Sequence, residues 1–352
     1  MKFKTRGVQG LFDRQETQQK LSTIGNPLEK ISSVVDFEMF RPLLESKLLN
    51  TNKKSKAGAK PYDVVMMFKI LILQRYYGLG DSQIEYQILD RQSFRQFLGL
   101  ESGDKVPDEK TVWAFRESTT RLGLVENIFE QFKLYLENEG LIMNQGKMVD
   151  ASFTVTPRQR NTREENQQIK DGRGDELWND QPNKKKHKDI DARWTQKNKE
   201  NVYGYKNHAN VDTKSKLIDT YEVTDASVHD SQTLDDLLIP NDSGQDFHAD
   251  SAYTGEEQEK VIENYGLKNQ VNKKGYRNKP LTDEQKANNK AKSKIRARVE
   301  HVFGFMEQSM HGLVLKSVGI ARATSIIGLI NLTYNLFRYE QIIRLDILNV
   351  NK

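Results

Sequence analysis

The sequence lacks cysteine altogether and has only six histidines among its 352 residues. Without cysteine the chain cannot form disulfides, thiolate nucleophiles, zinc fingers or iron–sulfur clusters from its own side chains. A metal ion would therefore have to bind oxygen or imidazole ligands. Long hydrophobic runs are also missing, because the longest, "VVMMFKILIL" at 64–73, is interrupted by Lys69 and is too short to cross a bilayer. The start, "MKFKTRGVQGLF", has no signal-peptide core, so we expect a cytoplasmic protein that is not bound to membranes.

The charge balance is mildly basic. The chain has 54 lysines and arginines against 49 aspartates and glutamates, which gives a net charge of +5. A positive balance favours a polyanionic partner, although net charge alone is a weak indication.

The first 140 residues have the pattern of an all-helical domain, which we place at residues 1–140. Apolar residues recur there every three to four positions, as in helices with a buried face. Asp108 is expected to cap one helix at its N-terminus, and Gly140 is expected to end another. The predicted helices cover residues 37–49, 61–77, 82–91, 93–100, 106–123 and 124–140.

After residue 140, β-branched runs separated by turns indicate strands. Three strands in a meander, followed by strands that alternate with helices, have the connectivity of the ribonuclease H-like fold. The predicted fold class is therefore α/β, with a ribonuclease H-like mixed sheet flanked by helices in a domain at residues 141–345. The predicted strands cover 146–155, 203–212, 216–224, a strand that ends at Asp250, and 268–273. The predicted helices cover 230–238, 255–264, 283–308 and 321–344.

Between the first two strands lies a polar segment, residues 157–201, with almost no aliphatic residues. Such a composition predicts a long exposed loop or a segment that becomes ordered on binding.

Two similar stretches, "MVDASFTVT" at 148–156 and "FHADSAYTG" at 247–255, each predict a short strand that carries an aspartate, Asp150 or Asp250. A lone ionised carboxylate among apolar neighbours is costly unless it is paired or coordinated. In a sheet of this connectivity the first and fourth strands are neighbours, so the two aspartates can approach each other. Their repulsion would raise a pKa unless divalent cations neutralise both. Taken singly, an aspartate at a strand end is more often a turn former or a cap.

A third acid is expected from the helix after the last strand, where Glu300 lies beside an apolar stripe and Arg296 lies on the same face. Three carboxylates suit Mg²⁺ or Mn²⁺, because these ions prefer oxygen ligands. Two such ions can activate a water or a 3′-hydroxyl and stabilise the leaving oxygen of a phosphodiester. This pattern predicts Asp150, Asp250 and Glu300 as catalytic, metal-binding residues.

Several stretches resemble the successive catalytic-domain motifs of the DDE transposases of bacterial insertion sequences, and of the IS-five family in particular. They are "VDASFTVTPRQ", "YGYKNHANVDTKSKLI", "TDASVHDSQTLDDLL", "HADSAYTG" and "RARVEHVFGFM". The helical stretches "PYDVVMMFKILILQRYYGLGDSQIEYQILDRQSFRQFLGL" and "VPDEKTVWAFRE" are similar to the N-terminal domain of that family. The resemblance covers residues 37–340.

The resemblance implies that Asp150, Asp250 and Glu300 form the metal-binding triad and hold two Mg²⁺ or Mn²⁺ ions. It matches Arg296 to the family's arginine, while Ser293 and Glu307 stand where the wider pattern has a tyrosine and a basic residue. It also implies a DNA transposase that binds terminal inverted repeats, cleaves phosphodiester bonds and joins 3′-ends to target DNA. Its partner would be double-stranded DNA, held by a homodimer in the bacterial cytoplasm at the nucleoid. The N-terminal domain would bind DNA or dimerise.

The segment 268–298 is strongly basic, with eleven lysines and arginines against two acids. Its place just before Glu300 favours contact with a phosphate backbone, while the simpler alternative is a solvated face. The residues that we predict to contact DNA in this segment are Lys273, Lys274, Arg296 and Arg298.

The second predicted strand carries two further candidates, because Lys206 and His208 share one of its faces. We predict that Lys206 points at the scissile phosphate. His208 is equally well explained as a substrate contact or as a hydrogen-bonded structural residue.

Two aromatic residues of the polar segment, Trp178 and Trp194, are candidates for stacking on DNA bases, whereas the spacing around Trp113 predicts a core residue. Two other functions stay open: a metal-dependent nuclease of the same fold without strand transfer, and a non-catalytic DNA-binding protein derived from a transposase.

Overall fold

The N-terminal part of the protein is helical. The structure, a computed structural model, describes residues 10–49, 60–101, 103–197, 199–276, 280–312 and 314–348. The helices that precede the sheet are α1 (Asp13–Ile24), α2 (Pro27–Ser32), α3 (Arg41–Leu48), α4 (Val64–Tyr76), α5 (Asp81–Asp90), α6 (Gln92–Leu98), α7 (Glu109–Arg121) and α8 (Leu124–Asn138). The predicted cap is confirmed, because the Asp108 carboxylate accepts a hydrogen bond of 2.7 Å from the Thr111 amide at the start of α7.

Helix α4 is buried on nearly all sides, which explains why its apolar run shows no clear periodicity. Its first turn is capped by Asp63, whose carboxylate accepts from the Met66 amide at 2.9 Å. Lys69 is the partly exposed exception in the run, and its ammonium donates to the Phe97 carbonyl.

The second half of the chain forms a mixed sheet. Its strands are β1 (Lys147–Val155), β2 (Arg193–Lys197), β3 (Glu200–Asp212), β4 (Ile218–Asp225), β5 (Asp246–His248) and β6 (Lys268–Asn269). The remaining helices are α9 (Arg163–Lys170), α10 (Pro182–Lys185), α11 (Leu234–Leu237), α12 (Glu256–Asn264), α13 (Asp283–Gln308) and α14 (Ile320–Leu345).

The strand order across the sheet is β4-β3-β1-β5-β6, with β2 added to the outer edge of β3. Strand β3 pairs antiparallel with β1 and β4, whereas β5 pairs parallel with β1 and β6. This is the ribonuclease H-like arrangement that the connectivity predicted. Strand β3 passes so close to β1 at Gly204 that a Cβ there would lie 2.2 Å from the Thr154 carbonyl oxygen, and the residue has a φ of +152°. A side chain is therefore excluded at this position.

Helix α14 joins the helical part to the sheet in one hydrophobic core. It is buried along most of its length and contacts α4, α7, α8 and β4. Asn331 exchanges amide hydrogen bonds of 2.7 and 3.1 Å with Asn207 of β3, and Asn335 bonds the Ile218 backbone of β4. These buried amides fix the helix against one face of the sheet.

Most described residues of the segment 157–201 are exposed, as its composition predicted, but the segment is more than a loop. It contains α9, α10 and β2, and Trp178 is buried there with its indole N–H donating to Glu165 at 2.6 Å. The buried Asp189 carboxylate accepts from the Tyr205 hydroxyl of β3 and from the Gly319 amide just before α14. Polar contacts, rather than aliphatic packing, therefore hold this segment against the sheet and α14.

None of the helices that the structure describes is both long enough and apolar enough to span a membrane.

Candidate active site

Asp150 lies in the middle of β1 on the face that is covered by α13. Its pairing with Ala209 of β3 places both side chains on that face. The Asp150 carboxylate lies 3.2 Å from the Arg296 guanidinium of α13, and it also accepts from the Ala151 amide at 2.8 Å. About 20% of the side chain is exposed, so the carboxylate reaches solvent from a largely enclosed position.

Asp250 lies just beyond the end of the neighbouring strand β5. The parallel register pairs Lys147 with Phe247 and Met148 with His248, and the same offset takes Asp150 to Asp250. The chain leaves the strand after His248, and the Asp250 carboxylate caps a short 3-10 helix by accepting from the Ala252 amide at 2.7 Å. The sheet therefore brings the first two predicted acids to adjacent positions.

The charges of these two residues interact. Burial raises the pKa of the Asp150 carboxyl to about 6, and the nearby Asp250 charge also raises it, against the opposing effects of the Ala151 amide and Arg296. Together the two aspartates carry more negative charge than the one neighbouring arginine, Arg296, compensates.

Glu300 is the least engaged of the three acids. It lies on α13 one turn after Arg296, and about 63% of its side chain is exposed. Its carboxylate is 3.4 Å from the second amino group of the Arg296 guanidinium, whose first amino group contacts Asp150. Arg296 thus stands between Asp150 and Glu300 and contacts both.

Asp150 and Asp250 fit a divalent cation, because their oxygens are the ligands that Mg²⁺ and Mn²⁺ prefer and their joint charge is under-compensated. Within the described ranges, however, no three acidic or imidazole side chains lie close enough together to hold a metal ion. Glu300, which turns toward solvent and Arg296, has not joined the two aspartates in this conformation.

Lys206 and His208 lie on the opposite face of the sheet from Asp150, because they pair with Phe153 and Ala151. The Lys206 ammonium is ion-paired with Asp230 at 2.7 Å and donates to the Val228 carbonyl, and both Lys206 and His208 are buried. Burial lowers the pKa of His208 to about 4. Both side chains are buried in this conformation, and their contact with DNA stays a prediction.

The basic segment, residues 268–298, leads into α13 and includes its first four turns. Lys273 and Lys274 are exposed, and the Lys273 backbone is held by two hydrogen bonds of 2.9 Å to the Asn289 amide side chain of α13. Arg298 donates to the Thr213 carbonyl at 3.1 Å. Two further basic residues of the predicted segment, Arg277 and Lys279, lie outside the described residues.

One buried hydroxyl near the two aspartates had no role in our sequence interpretation. Tyr253 is about 1% exposed, and its hydroxyl has no hydrogen-bond partner among the described residues. Burial raises its pKa well above the usual value, and the charges of Asp230, Asp150 and Asp250 add to the effect. The one signal for Tyr253 in the sequence was its position three residues after Asp250 in the stretch "FHADSAYTG".

We expect Asp150→Asn to stabilise the protein by about 1–3 kcal/mol near neutral pH, because folding disfavours the charged carboxylate. The folded-state pKa is raised, so this cost is fully present above about pH 6 and disappears as the pH falls toward the ordinary aspartate value. Urea unfolding at neutral and at mildly acidic pH measures the difference. Asp236→Asn, at an exposed position of α11, is the matched control. An Asp150→Asn variant that is less stable at neutral pH would contradict the electrostatic account.

Two sequence families match the chain. Residues 145–336, which are more than half of it, match the family described as Transposase DDE domain, and residues 15–118 match the family described as Transposase domain (DUF772). Among solved structures, the cryo-EM structure of the piggyBac transposase synaptic complex with hairpin DNA is 12% identical, with a TM-score of 0.43. That alignment covers 94% of this chain and 81% of the other. A structural likeness at this identity and score is too weak to assign a property of that transposase to this chain.

Proposed function

The chain belongs to the DDE transposase family, and from this premise we propose that it binds the terminal inverted repeats of an insertion sequence, cleaves phosphodiester bonds there and joins the 3′-ends to target DNA. The motifs quoted above favour the bacterial IS-five family within it. The proposal takes Asp150, Asp250 and Glu300 as the catalytic and metal-binding residues, with two Mg²⁺ or Mn²⁺ ions as cofactors.

The observation that supports this proposal most strongly is the arrangement of Asp150 and Asp250. Asp150 lies on β1, and Asp250 lies just beyond the end of β5, the parallel strand beside it; the charge of Asp250 raises the pKa of Asp150. Folding has therefore placed two like charges together at a cost, which is typical of sites that bind a cation.

The three acids would hold the ions, and the ions would supply the Lewis acidity that activates an attacking water or 3′-hydroxyl. Arg296 has two roles in the free protein: it compensates part of the Asp150 charge and holds Glu300 one helical turn away. For Glu300 to join the aspartates, its ion pair with Arg296 has to break. Glu300 is the exposed partner of that pair, with about 63% of its side chain accessible, so its carboxylate can turn away from Arg296 into solvent.

The test uses DNA that carries the ends of the element from which the reading frame comes. We expect the wild-type protein to cut these ends in Mg²⁺ or Mn²⁺ and to stop cutting when EDTA is added. Pre-cleaved ends should then be joined to a second DNA. Cutting without joining would favour the nuclease alternative, and binding without cutting would favour the non-catalytic one.

We further propose that Lys273, Lys274 and Arg298 contact the phosphate backbone, and that two protomers hold the two ends, because joining requires both ends in one complex. The lysines are exposed beside α13, the helix that carries Glu300. Arg298 is partly exposed, and among the described residues its guanidinium donates to the Thr213 carbonyl through one nitrogen.

Replacing both lysines, Lys273→Gln with Lys274→Gln, should weaken DNA binding roughly ten-fold at physiological salt, because two phosphate contacts and their counterion release are lost. The slope of log affinity against log salt should become shallower by about 1.8. Fluorescence anisotropy with a labelled duplex over a range of salt concentrations measures both quantities. Lys170→Gln with Lys260→Gln, at exposed positions of α9 and α12 and outside the N-terminal domain, is the control. An unchanged slope in the first double variant would exclude these lysines from the DNA interface.

A further inference from the structure

Trp113 projects from α7 into solvent between two cavities. The predicted core position is wrong, because 49% of the residue is exposed while its neighbour Val112 is fully buried. Cavities of about 670 and 660 Å³ lie on its two sides, and Trp113 lines both. A large exposed aromatic side chain between two cavities is placed to stack on a planar ligand.

The larger cavity combines an apolar floor with basic side chains, and it lies between α4, α7 and the segment that follows α13. The floor is formed by Leu79, Leu315 and Ile326. Among the charged lining residues, Arg116 is neutralised by Asp81, with one of its two hydrogen bonds at 2.7 Å. The other charged residues are Arg75, Lys110 and Lys316 against Glu109, so the cavity has a positive balance.

Arg75 is a partly buried cation that lines this cavity. No hydrogen bond or ion pair joins it to another residue in the described part of the chain. Burial and the neighbouring Arg116 charge lower the pKa of Arg75 to about 10, so the guanidinium is still charged near neutral pH. A partly desolvated cation in a cavity is stabilised by an entering phosphate.

The cavity is connected to the candidate active site through β1. The Leu315 amide donates to the Val155 carbonyl at the end of that strand at 2.8 Å, and Val314 and Leu315 line the cavity. From Asp150 to Val155 the strand advances about 16 Å, which is the length of about five nucleotides along a DNA strand. The wall of the cavity at Leu315 therefore lies about five nucleotides of DNA from Asp150 along β1.

We propose that the larger cavity binds an unpaired nucleotide of DNA, with its base stacked on Trp113 and its phosphate beside Arg75. The base has to be unpaired because an indole face can stack only on a base that has left the duplex stack. The volume falls in the range of pockets that enclose small organic ligands. The inference rests on the proposed function in taking DNA as the ligand.

The test is binding of a short oligothymidylate to the full chain without divalent metal. We expect the oligonucleotide to quench the tryptophan fluorescence of the wild-type protein, and Trp113→Phe to remove most of that quenching while retaining most of the affinity. Trp113→Ala should weaken binding about ten-fold, as loss of one stacked base does. Arg75→Gln should also weaken it and make the salt dependence shallower by about 0.7.

Tyr86→Ala is the matched control, since Tyr86 is an exposed aromatic of α5 that lines neither cavity. Unchanged affinity of Trp113→Ala, or full quenching in Trp113→Phe, would overturn the proposal even in a protein that cuts its element ends normally. Conversely, a wild-type protein that does not cut, but binds the oligonucleotide through Trp113, would contradict the proposed function and leave the cavity assignment standing.

Discussion

Replacing Asp150 by alanine is expected to lower the rate of DNA cleavage at least about a thousand-fold, as removal of one member of a cooperating catalytic set does. Asp250→Ala and Glu300→Ala should have similar effects, because each removes a carboxylate proposed to hold the metal ions. DNA affinity should change less than about three-fold, since most of it comes from contacts between basic side chains and phosphates. Single-turnover cleavage and anisotropy titrations on the same DNA measure the two quantities separately.

Asp246→Ala is the control for these variants. Asp246 opens β5, the strand that leads to Asp250, and its carboxylate accepts a long hydrogen bond from Gln270. We expect this variant to cut at nearly the wild-type rate. Near-normal cutting by any one of the three triad variants would remove that residue from the proposed set.

The second large effect concerns stability: Asp219→Ala should lower the free energy of unfolding by about 3–5 kcal/mol. The Asp219 carboxylate is fully buried, forms a short ion pair with the ammonium of Lys147 and lies 3.2 Å from that of Lys133. Asp242, also fully buried, lies 3.0 Å from Lys147. Removing Asp219 leaves Lys147 with Asp242 alone and leaves the buried Lys133 with only the exposed Glu130 at 3.9 Å, which is a large electrostatic penalty.

Urea unfolding at neutral pH measures this loss, and Asp236→Ala serves as its control because Asp236 is exposed. The control should change stability by less than about 0.5 kcal/mol. A loss below about 1 kcal/mol in Asp219→Ala would show that the network is not what holds the start of β1. Since Lys147 is the first residue of β1, the network anchors the strand that carries Asp150.

The strand order and the adjacency of the two aspartates were predictable from the sequence. Both follow from connectivity, because a meander followed by alternating strands and helices leaves the first and fourth strands as neighbours. The face that Lys206 and His208 occupy was not predictable. Alternation along β3 groups them together, but their side of the sheet depends on the register with β1, and a shift of one residue reverses it.

The helices and the strand within the segment 157–201 were not predictable, because they depend on contacts that composition does not reveal. One buried carboxylate, Asp189, satisfies backbone amides in its own loop and at Gly319, and it accepts from the Tyr205 hydroxyl. The exposure of Trp113 was missed for a similar reason. Helical spacing identifies Val112 as buried, but Trp113 lies about 100° around the helix, where about half of its surface stays exposed.

Glu300 was correctly placed next to the apolar stripe of α13, since Val299 and Val302 are buried. The sequence also placed Arg296 on the same face, but it gave no indication that the guanidinium lies between Glu300 and Asp150. Under the proposed function, the Glu300 carboxylate has to leave Arg296 before it can bind an ion together with the two aspartates.

The most direct measurement is anomalous X-ray diffraction from crystals of the protein bound to its end DNA in Mn²⁺. We expect anomalous peaks from Mn²⁺ ions that are coordinated by Asp150 and Asp250, with the Glu300 carboxylate released from Arg296 and turned to complete the ligand set. Ions bound elsewhere, or a Glu300 that stays paired with Arg296 while the DNA is cut, would contradict the account.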